Sequence, residues 1–76
     1  MQEFLEYILK NIVEKPEEIK ISEGEDDKGP YFLVELSEED KPLVIGKGGR
    51  NIRAIRQITS ILARKEDKRI YIKIAD

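Results

Sequence analysis

Apolar residues recur first at helical spacing. Phe4, Leu5, Ile8, Leu9, Ile12 and Val13 form one stripe of a helix whose remaining surface carries Glu3, Glu6, Lys10 and Glu14. Pro16 is expected to end this helix, because its ring clashes with the preceding turn and it has no amide hydrogen to donate. From Glu18 the period changes to two. Ile19 and Ile21 face one way and Lys20 and Ser22 the other, which predicts a short half-buried strand. Residues 23 to 30 are rich in turn formers and read as a solvated loop, since the acids there lack the spacing and closing glutamate of a calcium loop. Tyr31 to Leu36 predicts a second strand, with Phe32, Val34 and Leu36 on one face and Tyr31, Leu33 and Glu35 on the other. The short connection makes the two strands an antiparallel hairpin.

A polar break at residues 37 to 40 follows, and Asp40 is placed to cap a short helix with Pro42 in its first turn. A longer helix from about Arg50 to Arg64 turns Ile52, Ile55, Ile58, Thr59 and Leu62 toward a core and leaves Arg53, Arg56 and Arg64 outside. After the polar connection 64 to 69, Ile70, Ile72 and Ile74 alternate with Tyr71 and Lys73 as a third strand. The order is helix, strand, strand, short helix, long helix, strand: an α+β chain expected to form a single domain over residues 1–76.

Composition narrows the chemistry. There is no cysteine and no histidine, so disulfides, thiolate nucleophiles, imidazole bases and the usual zinc ligands are all missing. No nucleophile stands beside a base, and no metal or cofactor set is evident, so neither catalysis nor a cofactor is expected. The start Met1-Gln2-Glu3-Phe4 lacks signal-peptide character, and no apolar run approaches the roughly 20 residues needed to span a membrane. A cytoplasmic protein without membrane contact is the expectation. The net charge of −2 conceals a division: residues 1 to 40 hold 4 Lys against 13 acids, and residues 41 to 76 hold 10 Lys or Arg against 3 acids. Any polyanion is expected on the second half, with the acidic half limiting indiscriminate attachment.

The informative stretch is Val44-Ile45-Gly46-Lys47-Gly48-Gly49-Arg50-Asn51-Ile52, where three glycines lie between two helices. Glycines let the backbone turn sharply and let a sugar-phosphate chain approach closely. The first amides of the following helix are unpaired and partially positive, and Lys47, Arg50 and Arg53 add charge. The loop suits an anion. It is not a Walker A loop, since both the spacing and the terminal hydroxyl are wrong, and it is not a dinucleotide fingerprint, since position 51 is Asn.

These residues resemble the KH domain family, whose hallmark is an apolar pair, Gly-x-x-Gly, then Ile three residues on: here Val44-Ile45, Gly46-Lys47-Gly48-Gly49 and Ile52. The element order is similar to the type II arrangement of prokaryotic members, and the resemblance covers essentially the whole chain. It implies a three-stranded mixed sheet, with the second and third strands adjacent and parallel, and three helices packed on one face. It also implies a groove clamping about four nucleotides of single-stranded RNA. Amides from Lys47 to Arg50 would hold phosphates, Val44, Ile45 and Ile52 would floor the bases, and Lys47, Arg50 and Arg53 would supply charge, with Gly46, Gly48, Gly49 and Asn51 completing the site. Unaugmented members bind weakly, so the resemblance further implies a homodimer, or a heterodimer with another KH-domain protein, and a role as an RNA chaperone or post-transcriptional regulator. One departure is Thr59-Ser60, where many members have Thr-Gly.

Three readings of the residues stay open beside the resemblance. The loop is a plain interhelical turn in the blandest of them. In another, the helix around Ile55, or Tyr31, Leu33 and Tyr71, pairs with a second copy or another KH protein. In the third, single-stranded DNA serves as well as RNA, because phosphates are common to both. Few cations converge on the loop, so salt is expected to weaken binding only modestly.

Overall fold

The computed structural model describes all residues from Met1 to Asp76. Its elements are α1 (Gln2–Lys10), β1 (Lys20–Asp26), β2 (Gly29–Glu35), α2 (Lys41–Ile45), α3 (Arg50–Lys65) and β3 (Tyr71–Ile74), with 3-10 turns at Pro16–Glu18 and Lys47–Gly49. The sheet has the order β1-β2-β3, so β2 is central. β1 and β2 are antiparallel, whereas β2 and β3 run parallel, pairing Tyr31 with Tyr71 and Phe32 with Ile72. This is the mixed sheet of the type II KH arrangement. The helical complement is slightly leaner than expected: two full helices, and a five-residue α2 that makes little more than one turn.

Alternation along the strands decides which face is covered. Phe32, Val34 and Ile72 point to one side and are buried, and they form one cluster with Leu5 and Leu9 of α1, Val44 of α2, and Ile52 and Ile55 of α3. All the helices therefore pack on that face. At a typical cost of about 2–5 kcal/mol for truncating a buried leucine to alanine, losing either Leu5 or Leu9 removes much of what joins α1 to the sheet.

Four expectations need correction. α1 ends at Lys10, six residues before Pro16, because the amides of Asn11, Ile12 and Val13 turn back onto the carbonyls of Ile8 and Leu9; Phe4 stays exposed at 42% rather than joining the stripe. Residues 23 to 26 are not loop but the second half of β1, and only Asp27 and Lys28 separate the strands. Gly24 has a packing reason to lie in that strand: a Cβ there would meet the Tyr31 ring at 2.5 Å, so its bare backbone forms the seat for the ring. On α3, Ile58 faces solvent at 42% exposure, and Ala63 completes the buried side instead.

The fourth correction concerns Asp40. It stands at the start of α2 but makes no cap bond to that helix. Its carboxylate is almost wholly buried and accepts hydrogen bonds from the amides of Glu14 and Lys15, both at 2.9 Å, and from the Ser37 hydroxyl at 3.0 Å. One side chain thus ties the segment after α1 to the entrance of α2. These bonds, that from Glu14 foremost, hold the Asp40 carboxyl below the usual carboxylate range despite its burial.

The open face of the sheet has a cluster of its own. The Tyr31 and Tyr71 rings lie 5.7 Å apart, and the Lys73 ammonium sits 4.3 Å from the Tyr31 ring centre. Lys73 also approaches Asp26 at 2.8 Å, and the Tyr71 hydroxyl donates to the same carboxylate. These two donors, Lys73 first, hold Asp26 well below its ordinary range. Burial, and then the Asp26 contact, push the Tyr71 hydroxyl up.

Both depressed carboxyls act in the same direction. Each stabilises the fold above its unfolded value of about 3.9, and that contribution disappears as pH falls through the lower folded value. Thermal melts of Asp40→Asn between pH 7 and 3 should show a midpoint about 5 °C or more below the parent at neutral pH. The gap should narrow on acidification; a constant gap would show that the carboxylate charge is not what matters.

Candidate nucleic-acid interface

α2 ends because Gly46 leaves the helix at φ 77°, ψ 170°, a region that only glycine occupies readily. Its amide still bonds the Pro42 carbonyl at 2.8 Å, which closes the last turn. A Cβ on Gly46 would meet Asn51 at 2.7 Å from the side chain and 2.9 Å from the backbone nitrogen, so the loop is also too tight here for anything larger. Gly48 (φ 64°, ψ 18°) and Gly49 (φ 80°, ψ 17°) are two consecutive left-handed residues that redirect the chain into α3. Gly48 differs from Gly46 in one respect: nothing lies within 4 Å of where its Cβ would be, so it forms the free tip.

Two side chains hold this loop from behind. Asn51 donates to the Leu43 carbonyl at 2.8 Å, clasping the first turn of α3 to the last turn of α2. Arg53 donates to the Gly48 carbonyl at 2.7 Å, one helical turn into α3. A guanidinium has five N–H donors, so Arg53 keeps most of its capacity and all of its charge for an external anion. Lys47 and Arg50 are exposed at the same place.

The structure therefore brings together Gly46, Lys47, Gly48, Gly49, Arg50, Asn51 and Arg53, but it divides the three apolar residues. Val44 is completely buried and Ile52 is 6% exposed, so both support the site from within the core. Ile45, at 37% exposure, is the one that faces outward. It lines a shallow groove with Glu38, Lys41, Pro42, Gly46 and Lys47. Lys41 was not singled out from the sequence. It lies one turn before Ile45 on α2 and is held at 2.6 Å by Glu38; that i, i+4 relation to Ile45 was the available signal.

Gly46 and Gly48 are expected to differ on substitution. Gly46→Ala must distort both the backbone and the Asn51 clasp, and should cost roughly 2–3 kcal/mol in urea unfolding; Gly48→Ala, with free space around it, should cost only about 1 kcal/mol. Equal losses would mean that the Asn51 contact does not constrain the loop.

Comparison with known proteins agrees with this geometry. The family model described as KhpA/KhpB, KH domain, matches residues 2–74. The RNA-binding protein KhpA of Chlamydia pneumoniae is 36% identical over 76 residues, covering 100% of this chain and 97% of that protein. KhpA of Clostridium perfringens is 36% identical over 74 residues, covering 97% and 99%, and KhpA of Listeria monocytogenes is 36% identical over the full length of both. No solved structure matches significantly. A match across nearly every residue, together with the parallel β2–β3 pair and a glycine loop between two helices, makes this chain a member of the KhpA/KhpB KH-domain family of RNA-binding proteins.

Proposed function

We propose that this chain binds single-stranded RNA by seating about four nucleotides against the loop from Gly46 to Gly49, as a binding module and not an enzyme. The observation that carries this reading is the bare tip at Gly48: consecutive left-handed glycines with open space outside, at the start of a helix whose charged residues are all basic. Turns of this kind aim successive amides at one side, and the first turn of a helix adds partial positive charge. Of the loop amides, those of Gly49 and Arg50 already donate to the Gly46 and Lys47 carbonyls, so a phosphate approaching there meets the amides of Lys47 and Gly48 and the Lys47 and Arg50 side chains, with no Cβ at position 48 in the way. Ile45 offers an apolar contact for a base, supported by Val44 and Ile52 beneath, and Arg53 keeps the tip in shape while adding charge. The relatives named RNA-binding protein KhpA support RNA as the ligand. On this reading the protein serves as an RNA chaperone or post-transcriptional regulator in the cytoplasm.

A second property accompanies the first: self-association, or pairing with another KH protein. Ile55 is buried at 3% exposure and cannot mediate it, but Ile58 stands outside on α3 at 42%. The open sheet face is a weaker candidate, because Tyr31, Leu33 and Tyr71 are already half-buried among themselves, Gly24 and Lys73.

The paired change Lys47→Asp and Gly48→Asp should abolish RNA binding while leaving the fold intact, since aspartate tolerates the left-handed region and position 48 has room. NMR titration with short RNA pools at low salt reads both properties at once, and undiminished affinity in the folded variant would sink the proposal. For self-association, sedimentation at high concentration should show a dimer that Ile58→Glu converts to monomer. A parent protein that is strictly monomeric would rule that reading out.

A further inference from the structure

The basic residues of α3 continue well past the loop. The helix carries Arg50, Arg53, Arg56, Arg64 and Lys65 and not one acid, in a chain that has 16 Asp and Glu. Its buried side is Ile52, Ile55, Thr59 and Ala63. On the outer side, Arg53, Gln57, Ser60 and Arg64 follow one another at steps of four, three and four, so they form a single row along the helix, with Arg50 and Arg56 on its flanks. A shallow groove lies along this row, lined by Arg56, Gln57, Ser60, Ile61 and Arg64.

The charges in that groove are not neutralised from within. Every ion pair of the structure uses a lysine: Lys10, Lys15, Lys41, Lys68 and Lys73 each meet a carboxylate. The arginine hydrogen bonds go instead to backbone carbonyls, Arg53 to Gly48 and Arg56 to Ile72 at 3.3 Å. A carbonyl orients a guanidinium without cancelling its charge. The result is a helical row of cations that meet no carboxylate, with Arg53 and the neighbouring Arg56 oriented by carbonyls, interleaved with the neutral donors Gln57 and Ser60 and beginning at the loop.

We propose that this outer row of α3, from Arg53 through Gln57 and Ser60 to Arg64 with Arg56 beside it, is a second phosphate track that takes the continuation of the strand held at the glycine loop. The inference rests on the loop reading and extends it. At a rise of 1.5 Å per residue the row is about 16 Å long, which is about five nucleotide steps of a strand stacked at ~3.4 Å per phosphate and fewer of an extended one. Backbone contacts of this sort position a strand without reading its bases, so the track increases affinity for length and not for sequence. It also modifies the modest salt dependence expected of the loop alone. Each phosphate neutralised on a single strand adds ~0.7 to the slope of log affinity against log salt, so a strand long enough to reach Arg56 and Arg64 should be distinctly more salt-sensitive than a short one.

The test compares oligouridines of four and eight nucleotides on the full chain, the parent against Arg56→Gln/Arg64→Gln. The double variant should bind the four-nucleotide RNA as the parent does, but the eight-nucleotide RNA roughly fivefold or more weakly, with a salt slope reduced by ~1.4. Amide shifts at Gln57, Ser60 and Arg64 should appear with eight nucleotides and be absent with four. Because Arg56 also bonds the sheet, Arg64→Glu alone provides a control free of that contact and should weaken only the longer RNA. Equal affinity of parent and variants for eight nucleotides, with four nucleotides still bound, would overturn the track and leave the loop reading standing. Failure of the parent to bind either length would refute the loop reading itself.

Discussion

The parallel pairing of β2 with β3 is the constraint on which the remaining architecture depends. Two parallel neighbours cannot be joined by a tight turn, because the chain leaves one strand at the far end from where it must enter the next. The residues between Glu35 and Tyr71 must therefore travel back along the sheet, and they do so on the face where Phe32, Val34 and Ile72 need cover. The crossover is long enough to be broken once, and the break is the glycine loop. Gly46 ends α2, Asn51 clasps α3 back onto it, and the tip is left projecting with its outer side bare. The candidate site is thus a by-product of returning the chain, held in place by the same Val44 and Ile52 that close the core.

The same topology sorts the charges. Helix α1, the hairpin and the entrance to α2 carry most of the acids, and several are occupied internally: Asp40 by two amides, Asp26 by Lys73 and Tyr71, Glu38 and Glu39 by Lys41 and Lys15. Helix α3 has no acid at all. A polyanion approaching this protein meets one region where carboxylates dominate and one helix whose arginines meet no carboxylate. Such a field orients the encounter before any specific contact forms.

Much of the fold was legible because periodicity is a direct imprint of burial. The stripe on α1 apart from Phe4, the alternation in β2 and β3, and Ile52 and Ile55 of α3 each reported which side would be covered, whereas Ile58 did not. Boundaries were less legible. Pro16 was a plausible end for α1, but nothing local revealed that amides 11 to 13 would fold back onto Ile8 and Leu9. Gly24 looked like a turn residue because its use as a seat for Tyr31 depends on a neighbour in another strand. Asp40 looked like a cap because it precedes a helix, whereas its partners are amides 25 and 26 residues earlier.

By itself, then, the sequence determined the element order, the apolar faces, the charge division between the halves and the glycine loop with its flanking cations. These are local properties, written in spacing and residue type. Tertiary structure alone decided that Val44 and Ile52 lie under the candidate site while Ile45 faces out, that Asn51 and Arg53 brace the loop, and that Asp40 ties the segment after α1 to the entrance of α2. Each of those outcomes depends on which distant backbone or side chain arrives alongside, and a linear pattern does not encode the partner until the crossover has brought the two together.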